Sequence, residues 1–181
     1  MLLHQKQANQ EIMSQRELVE KALEDYERPL LAYANSILSD VEGARDAVQD
    51  TFLRLYKQEE GAIGPGVKSW LYTVCRNRCF DMLRKRRRQT VVDFSELNPV
   101  DENAPDPRAC ASDGETVQDV MRFLDRLPDN QREVIRLKFQ QGLSYREISK
   151  TTGLSVSNVG FLLHMGLKRL RKLMNHLAEN G

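Results

Sequence analysis

The chain has 181 residues, 40% of them hydrophobic, which suffices for one or two small domains but not for a large catalytic barrel. Lys and Arg number 27 and Asp and Glu number 26, so the formal net charge of +1 by itself indicates no class of partner. No apolar run approaches the roughly 18 residues of a membrane span. Residues 1–15 form a polar, glutamine-rich extension without a secretory signal pattern. We therefore expect a soluble, cytoplasmic protein without membrane insertion.

Three cysteines are too few for a disulfide framework and are typical of a reducing compartment. Cys75 and Cys79 lie four residues apart on a predicted helix, and this spacing also suits metal or redox sites. No second Cys or His pair completes such a site, so the two are interpreted as small buried side chains. We expect neither a metal nor a cofactor.

Charge is unevenly distributed along the chain. Residues 76–88 include seven basic side chains and one acid, whereas residues 93–119 include eight acids and one arginine. Residues 168–172 add four cations near the C-terminus. The near-neutral chain therefore contains two basic patches separated by an acidic spacer.

That spacer divides the chain into two parts. It contains Pro99, Pro105 and Pro107 and lacks apolar periodicity over residues 98–114, which predicts a flexible acidic linker over residues 89–115. Apolar residues at helical spacing fill the remainder. The sequence predicts an all-α fold with two small helical domains, 16–88 and 116–181.

Two helices are predicted first, over about residues 18–38 and 41–57. Five side chains of the second helix share an inward face: Ala44, Val48, Thr51, Phe52 and Leu55. Its outward side chains are Asp46, Gln49, Asp50, Leu53 and Lys57. An acidic surface with an apolar centre is either an ordinary solvated face or a docking site for a basic partner.

A third, long helix follows the glycine-rich turn at residues 61–66 and runs into the arginine-rich segment. Its cations and amides alternate with Trp70, Tyr72 and Phe80. Cations bind phosphates and aromatic rings stack on unpaired bases, so this pattern favours nucleic-acid binding. The alternative is that all the aromatic rings are core.

The C-terminal part predicts a helix-turn-helix. A helix opened by Leu127 and Pro128 ends at Gly142, and a capping box at Ser144 and Glu147 starts the next one. Gly153 ends that short helix, after which Ser155 caps the last one. The spacing of Ser149, Gly153 and Val159 is typical of a helix-turn-helix.

The final helix is predicted to turn a largely apolar face inward: Val159, Leu163, Gly166, Leu167, Leu170, Met174 and Leu177. Phe161 and Met165 face outward, which suggests contacts with thymine methyl groups in the major groove. Lys168, Arg171 and Lys172 would then lie at phosphates. Alternatively, Phe161 and Met165 cover another domain.

The order of these parts resembles the extracytoplasmic-function (ECF) group of bacterial sigma-70 RNA polymerase sigma factors. The resemblance extends over about residues 26–173. Three stretches carry it: DAVQDTFL at 46–53, WLYTVCRNR at 70–78 with Asp81 and the arginines after it, and 127–148 from Leu127-Pro128 to the GLSYREI segment.

The resemblance implies a specificity subunit whose chemistry is supplied by core RNA polymerase, and not an enzyme. It implies docking on the polymerase beta-prime clamp helices through Asp46, Gln49, Asp50 and Leu53. It places a minus-ten promoter site at Lys68, Trp70, Tyr72, Arg76, Asn77, Phe80 and Arg84. It places a minus-thirty-five site at Ser155, Ser157, Asn158, Phe161, His164, Met165, Lys168 and Arg171.

Further partners follow from the resemblance: the polymerase beta subunit, promoter DNA and a cognate anti-sigma factor. Residues 61–68 would form the pocket loop for an extruded base, and the acidic linker would pass through a polymerase channel built for nucleic acid. In one place the chain departs from the family, which usually has basic or hydroxyl residues where this sequence has Gly160, Phe161, Leu162 and Met165. Recognition by this helix should therefore be less electrostatic than usual.

Two other functions are compatible with parts of the sequence. A self-sufficient transcription regulator would use the helix-turn-helix for DNA and the N-terminal helices for dimerisation or effector sensing, but this leaves the aromatic and arginine-rich helix unexplained. An enzyme is disfavoured because the sequence has no phosphate-binding glycine loop, zinc-binding His pair or nucleophile motif. Its three histidines, His4, His164 and His176, do not cluster.

Overall fold

The computed structural model describes residues 14–59, 61–63, 66–93 and 122–178, and every regular element in these ranges is helical. The chain divides into two compact units, Met1–Arg84 and Lys85–Gly181. The all-α fold with two small helical domains is thus confirmed. The N-terminal extension up to residue 13 and residues 94–121, which include most of the predicted acidic linker, lie outside the described residues.

Helix α1 spans Gln15–Leu38 and starts with a capping box at Ser14 and Glu17. The Glu17 amide donates to the Ser14 hydroxyl at 3.3 Å and the Ser14 amide donates to the Glu17 carboxylate at 2.9 Å. These hydrogen bonds hold the pKa of Glu17 below its usual range. The helix ends where Ser39 adopts a left-handed conformation, with φ of 50°.

Helix α2 spans Val41–Tyr56 and is capped by Asp40, whose side chain accepts from the Glu42 amide at 3.2 Å. All five side chains of its predicted inward face are buried, which confirms that face. Ala44 and Ala47 are fully buried beside α1, where small side chains let two helices approach closely.

Helix α3 spans Val67–Asp93, and its residues up to Arg84 belong to the first unit. Tyr72 packs edge-to-face on Tyr33 of α1, with ring centroids 5.2 Å apart. Leu71, Cys75 and Cys79 lie on the same buried side of α3. This packing fixes which side of α3 is left outward.

In the second unit, a helical segment at residues 122–125 precedes α4 (Asp129–Ile135) and a π-helical turn (Arg136–Gln140). The sequence predicts a regular helix up to Gly142, and the π turn departs from it. In this turn the Gln141 amide donates to the Arg136 carbonyl at 3.1 Å, and Phe139 is left exposed.

The predicted helix-turn-helix is present as α5 (Tyr145–Thr152) and α6 (Val156–Ala178). Ser144 and Glu147 form the capping box, and Gly153 has a φ of 76°, which suits glycine at a helix end. The Ser155 hydroxyl accepts from the Asn158 amide at 3.2 Å and so caps α6. The sequence signals for this motif are therefore confirmed.

The buried face of α6 differs from the predicted one. Val159, Leu163 and Gly166 are buried as expected, but Leu167 and Met174 are exposed and Leu162 is buried, with only 6% of its surface accessible. The buried arc is rotated towards Leu162, and Gly166 within it lies against α4, where a Cβ would be 2.7 Å from Ile135 Cδ1.

Candidate functional site

An apolar groove of about 550 Å³ lies between α1 and α2 on the outer side of the first unit. Its lining consists of Val19, Leu23, Glu27 and Leu31 of α1 with Arg45, Val48, Gln49, Phe52, Leu53 and Tyr56 of α2. Leu53 is 51% exposed here, as the sequence predicted. We call this surface the docking groove.

Four of the ten residues that line the docking groove come from α1, and the sequence did not predict this part of the groove. Leu23 is one of the apolar residues at helical spacing in α1, yet 36% of its surface is exposed in the groove. Periodicity gives the apolar side of a helix, but it does not tell how much of that side a neighbouring helix covers. Tyr56, 63% exposed at the end of α2, was missed for the same reason.

The acidic character predicted for the outward side of α2 is reduced in the structure. Asp46 is exposed, but the partly buried Asp50 carboxylate lies 3.1 Å from the Arg54 guanidinium and 3.4 Å from that of Arg78 on α3. Arg45 pairs with Glu42 at 2.7 Å on the same helix. The outward side of α2 is therefore a mixed-charge surface around an apolar centre and not an acidic one.

The outward side of α3 brings together four of the predicted minus-ten residues. At about 100° per residue, Trp70, Asn77, Phe80 and Arg84 fall on the side opposite to the buried residues. Arg76 lies at the edge of this side, with its guanidinium carbon 4.5 Å from the centre of the Phe80 ring. We call this surface, with Arg76 included, the α3 outward face. It combines rings, an amide and cations, the groups that bind unpaired bases and phosphates.

Tyr72 does not belong to this face, and its prediction as a DNA-binding residue is wrong. Its side chain is fully buried against Tyr33, and burial raises the pKa of its hydroxyl. Lys68 lies on the same side of α3 as Cys75 and Cys79, away from Trp70. The sequence pattern could not separate the two aromatic residues, because both are apolar rings with a polar atom.

The two helical cysteines are core residues, as the sequence analysis interpreted them. Cys75 and Cys79 are free thiols, and both are fully buried. A hydrogen bond with Cys79 and burial raise the pKa of Cys75, so this thiol stays protonated at neutral pH.

The outward side of α6 presents most of the predicted minus-thirty-five residues. Exposed side chains are Ser155, Ser157, Asn158, Phe161, His164, Lys168 and Arg171, and Met165 is half-buried. Phe161 is 60% exposed, which confirms its outward position, whereas Leu162 packs inside the domain. We call this surface the recognition face.

An additional aromatic residue lies beside the recognition face. Tyr145, the first residue of α5, is partly exposed, and its ring lies 3.6 Å from the position that a Cβ on Gly160 would take. The ammonium of Lys138 lies 5.4 Å from the centre of this ring. The sequence pattern did not single out Tyr145 as a site residue.

Within the described parts of the chain, no group of three or more His, Cys, Asp or Glu side chains could hold a metal ion. Over the same residues, no helix is both long and apolar enough to cross a membrane.

Comparison with known proteins also divides the chain into two parts. Residues 22–89 match sigma-70 region 2 and residues 118–170 match sigma-70 region 4. The chain is 29% identical over 157 residues to the ECF RNA polymerase sigma factor SigM of Bacillus subtilis, covering 87% of this chain and 95% of SigM. It is 30% identical over 161 residues to SigX of the same organism, covering 85% and 82% of the two chains.

A similar solved structure is that of the sigma factor RpoE in complex with the anti-sigma factor NepR from Bartonella quintana. It has 29% sequence identity and a TM-score of 0.65, and the match covers 86% of this chain and 96% of that one. The chain therefore belongs to the ECF group of sigma-70 RNA polymerase sigma factors, which are specificity subunits for promoter recognition and not enzymes.

Proposed function

We propose that this chain binds core RNA polymerase through the docking groove, opens the minus-ten element with the α3 outward face and binds the minus-thirty-five element with the recognition face. The observation that carries the proposal is the α3 outward face, where Trp70, Asn77 and Phe80 accompany cations on a rigid helix. A regulator that reads only duplex DNA has no need of this combination. The polymerase supplies the chemistry, and the chain acts in the cytoplasm.

The docking groove suits a helical partner with apolar and polar side chains, such as the clamp helices of the polymerase beta-prime subunit. Leu53 is the exposed apolar centre and Gln49 is a hydrogen-bonding neighbour. Asp46 adds an exposed carboxylate at the rim. Large exposed apolar side chains beside polar ones are typical of a protein interface.

Promoter opening needs a site for unpaired bases. Extruding a base costs a few kcal/mol, and stacking on an aromatic side chain offsets about 1–3 kcal/mol of it per base. Trp70 and Phe80 provide such rings, while Arg76, Arg84 and the exposed arginines at residues 86–88 provide cations for the DNA backbone. The minus-ten site is therefore proposed without Tyr72.

The recognition face suits the major groove of duplex DNA. Phe161 and Met165 provide apolar contacts for thymine methyl groups, and Lys168 and Arg171 lie along the same helix for phosphates. RpoE, the structural relative, was crystallised with an anti-sigma factor. We propose that an anti-sigma factor also binds this chain and covers its polymerase-binding surface, and that the beta subunit is a further polymerase contact.

Leu53 and Val41 provide a matched test of polymerase binding. Both are 51% exposed on α2, but only Leu53 lines the docking groove. We expect Leu53→Glu to weaken binding to core polymerase by about tenfold or more, because it places a charge in an apolar interface. Val41→Glu should leave binding unchanged. Fluorescence anisotropy with labelled protein and core polymerase measures both, and equal loss in the two variants would contradict docking at the groove.

A further inference from the structure

The carboxylate of Asp50 is shared between two helices. Its Oδ2 atom lies 3.1 Å from Nε of Arg54, one turn along α2, and 3.4 Å from Nε of Arg78 on α3. One negative charge is therefore placed between two positive ones. The contact joins the helix proposed to dock on polymerase to the helix proposed to open DNA.

The contact between Asp50 and Arg78 is incompletely satisfied. Asp50 Oδ2 and Arg78 Nε are both shielded from solvent, and neither makes a hydrogen bond of good geometry. Ion pairs between partly exposed side chains contribute little to stability. Replacing the Asp50–Arg78 pair by a pair with another charged group therefore costs little free energy of folding. A new anion for Arg78, or a new cation for Asp50, would compete effectively with the existing pair.

Arg78 lies where it can make that exchange. On the α3 helical wheel it falls between the buried side, which includes Cys75, and the outward side, which includes Trp70. Its side chain is partly exposed. A rotation of the side chain away from α2 would bring the guanidinium to the edge of the α3 outward face, where a DNA phosphate would pass.

We propose that Arg78 is a further phosphate-binding residue of this sigma factor, and that its ion pair with Asp50 keeps it from binding DNA until polymerase docks. When a cationic group of the clamp helices binds Asp50, Arg78 loses its internal counter-ion and becomes available to promoter DNA. Asp50 is then a positioning residue that links polymerase docking to DNA binding. The inference rests on the proposed function, since it needs both surfaces.

The test uses the full-length chain with a fluorescein-labelled DNA duplex that has a single-stranded extension. In the free protein, Asp50→Asn should raise affinity about threefold, the effect of a weak ion pair. The slope of log K against log salt should steepen by about 0.7–0.9, the contribution of one phosphate. Arg78→Gln alone should leave the DNA affinity and the salt slope unchanged. The variant that combines Asp50→Asn with Arg78→Gln should behave like Arg78→Gln.

The holoenzyme provides the second arm. With core polymerase bound, Arg78→Gln should reduce the salt slope of promoter binding by about 0.7–0.9, while Arg78→Lys should retain the slope because it keeps the charge. Circular dichroism of each variant checks folding. Asp25→Asn, which removes an exposed carboxylate from α1, is the control for the change in overall charge.

Several outcomes would overturn the inference. It is wrong if Asp25→Asn raises DNA affinity as much as Asp50→Asn does. It is also wrong if Asp50→Asn raises DNA affinity equally in the wild-type and the Arg78→Gln backgrounds, or if Arg78→Gln leaves the salt slope of the holoenzyme unchanged. Failure of the wild-type chain to direct transcription by core polymerase would instead refute the proposed function. The two failures are distinguished because the second appears without any variant.

Discussion

Trp70 and Tyr72 lie two positions apart on α3 and point to different sides of the helix. Tyr72 packs on Tyr33 with no exposed surface, whereas Trp70 is only partly covered. From sequence alone the two are equivalent candidates for base stacking. At about 100° per residue the two side chains lie roughly 200° apart, and which one is buried depends on the side of α3 that packs on α1. A single helical segment does not specify that side.

This difference predicts opposite effects of two truncations. Tyr72→Ala should lower the free energy of unfolding by about 3–5 kcal/mol, because it leaves a cavity in the core. Trp70→Ala should cost less stability but slow promoter opening about tenfold, since one stacked base is worth about 1–3 kcal/mol. Urea denaturation and the fluorescence of a base analogue at the minus-ten element measure the two effects. Equal loss of stability in both variants would contradict the placement.

Phe161 and Lys168 separate apolar from electrostatic recognition on α6. Phe161→Ala should lower the preference for the correct minus-thirty-five sequence by about 1 kcal/mol, roughly fivefold, and leave the salt slope unchanged. Lys168→Ala should leave the preference for the correct sequence unchanged and reduce the salt slope by about 0.9. Competition binding at several salt concentrations measures both quantities. Promoter preference that survives Phe161→Ala would show that this ring does not contact bases.

At the scale of elements, two glycines of α6 differ in how closely a neighbouring helix packs against them. A Cβ on Gly166 would lie 2.7 Å from Ile135 Cδ1 and 3.3 Å from Gln131 Cβ. Residues of α4 therefore occupy the space that a side chain at position 166 would need. A Cβ on Gly160 would make only an ordinary contact, 3.6 Å from the ring of Tyr145.

Alanine at these two positions should therefore change stability in opposite directions. Gly166→Ala should destabilise the second unit by about 1–3 kcal/mol through overpacking. Gly160→Ala should stabilise it by up to about 1 kcal/mol, because alanine is the better helix former. Thermal unfolding of the two variants decides the matter, and a stabilised Gly166→Ala protein would contradict the close approach of α4 and α6.

Local signals predicted the elements well. The capping box of α5, the left-handed Gly153 and the inward face of α2 depend on neighbours in sequence, and all are present. Features that depend on contacts between helices were not predictable in the same way. The shared Asp50 carboxylate joins residues 28 positions apart, and the close contact at Gly166 joins α6 to Ile135 of α4. The π turn before Gly142 has no local signal that we recognise.

At the scale of the whole molecule, the net charge of +1 is the sum of segments with different roles. The cations cluster on the C-terminal half of α3 and on α6, where DNA is proposed to bind. The acids of α2 are partly compensated by Arg45, Arg54 and Arg78. Overall charge therefore carries little information about function, whereas its placement on particular helices carries much.

Run-off transcription with core polymerase on a promoter library, with and without this protein, tests the central claim most directly. We expect transcripts only when the chain is present, from templates that share one minus-thirty-five and one minus-ten sequence at a fixed spacing. Loss of these transcripts with Leu53→Glu but not with Val41→Glu would connect initiation to the docking groove. If the chain instead bound a palindromic duplex as a dimer and left transcription by core polymerase unchanged, the account would be contradicted.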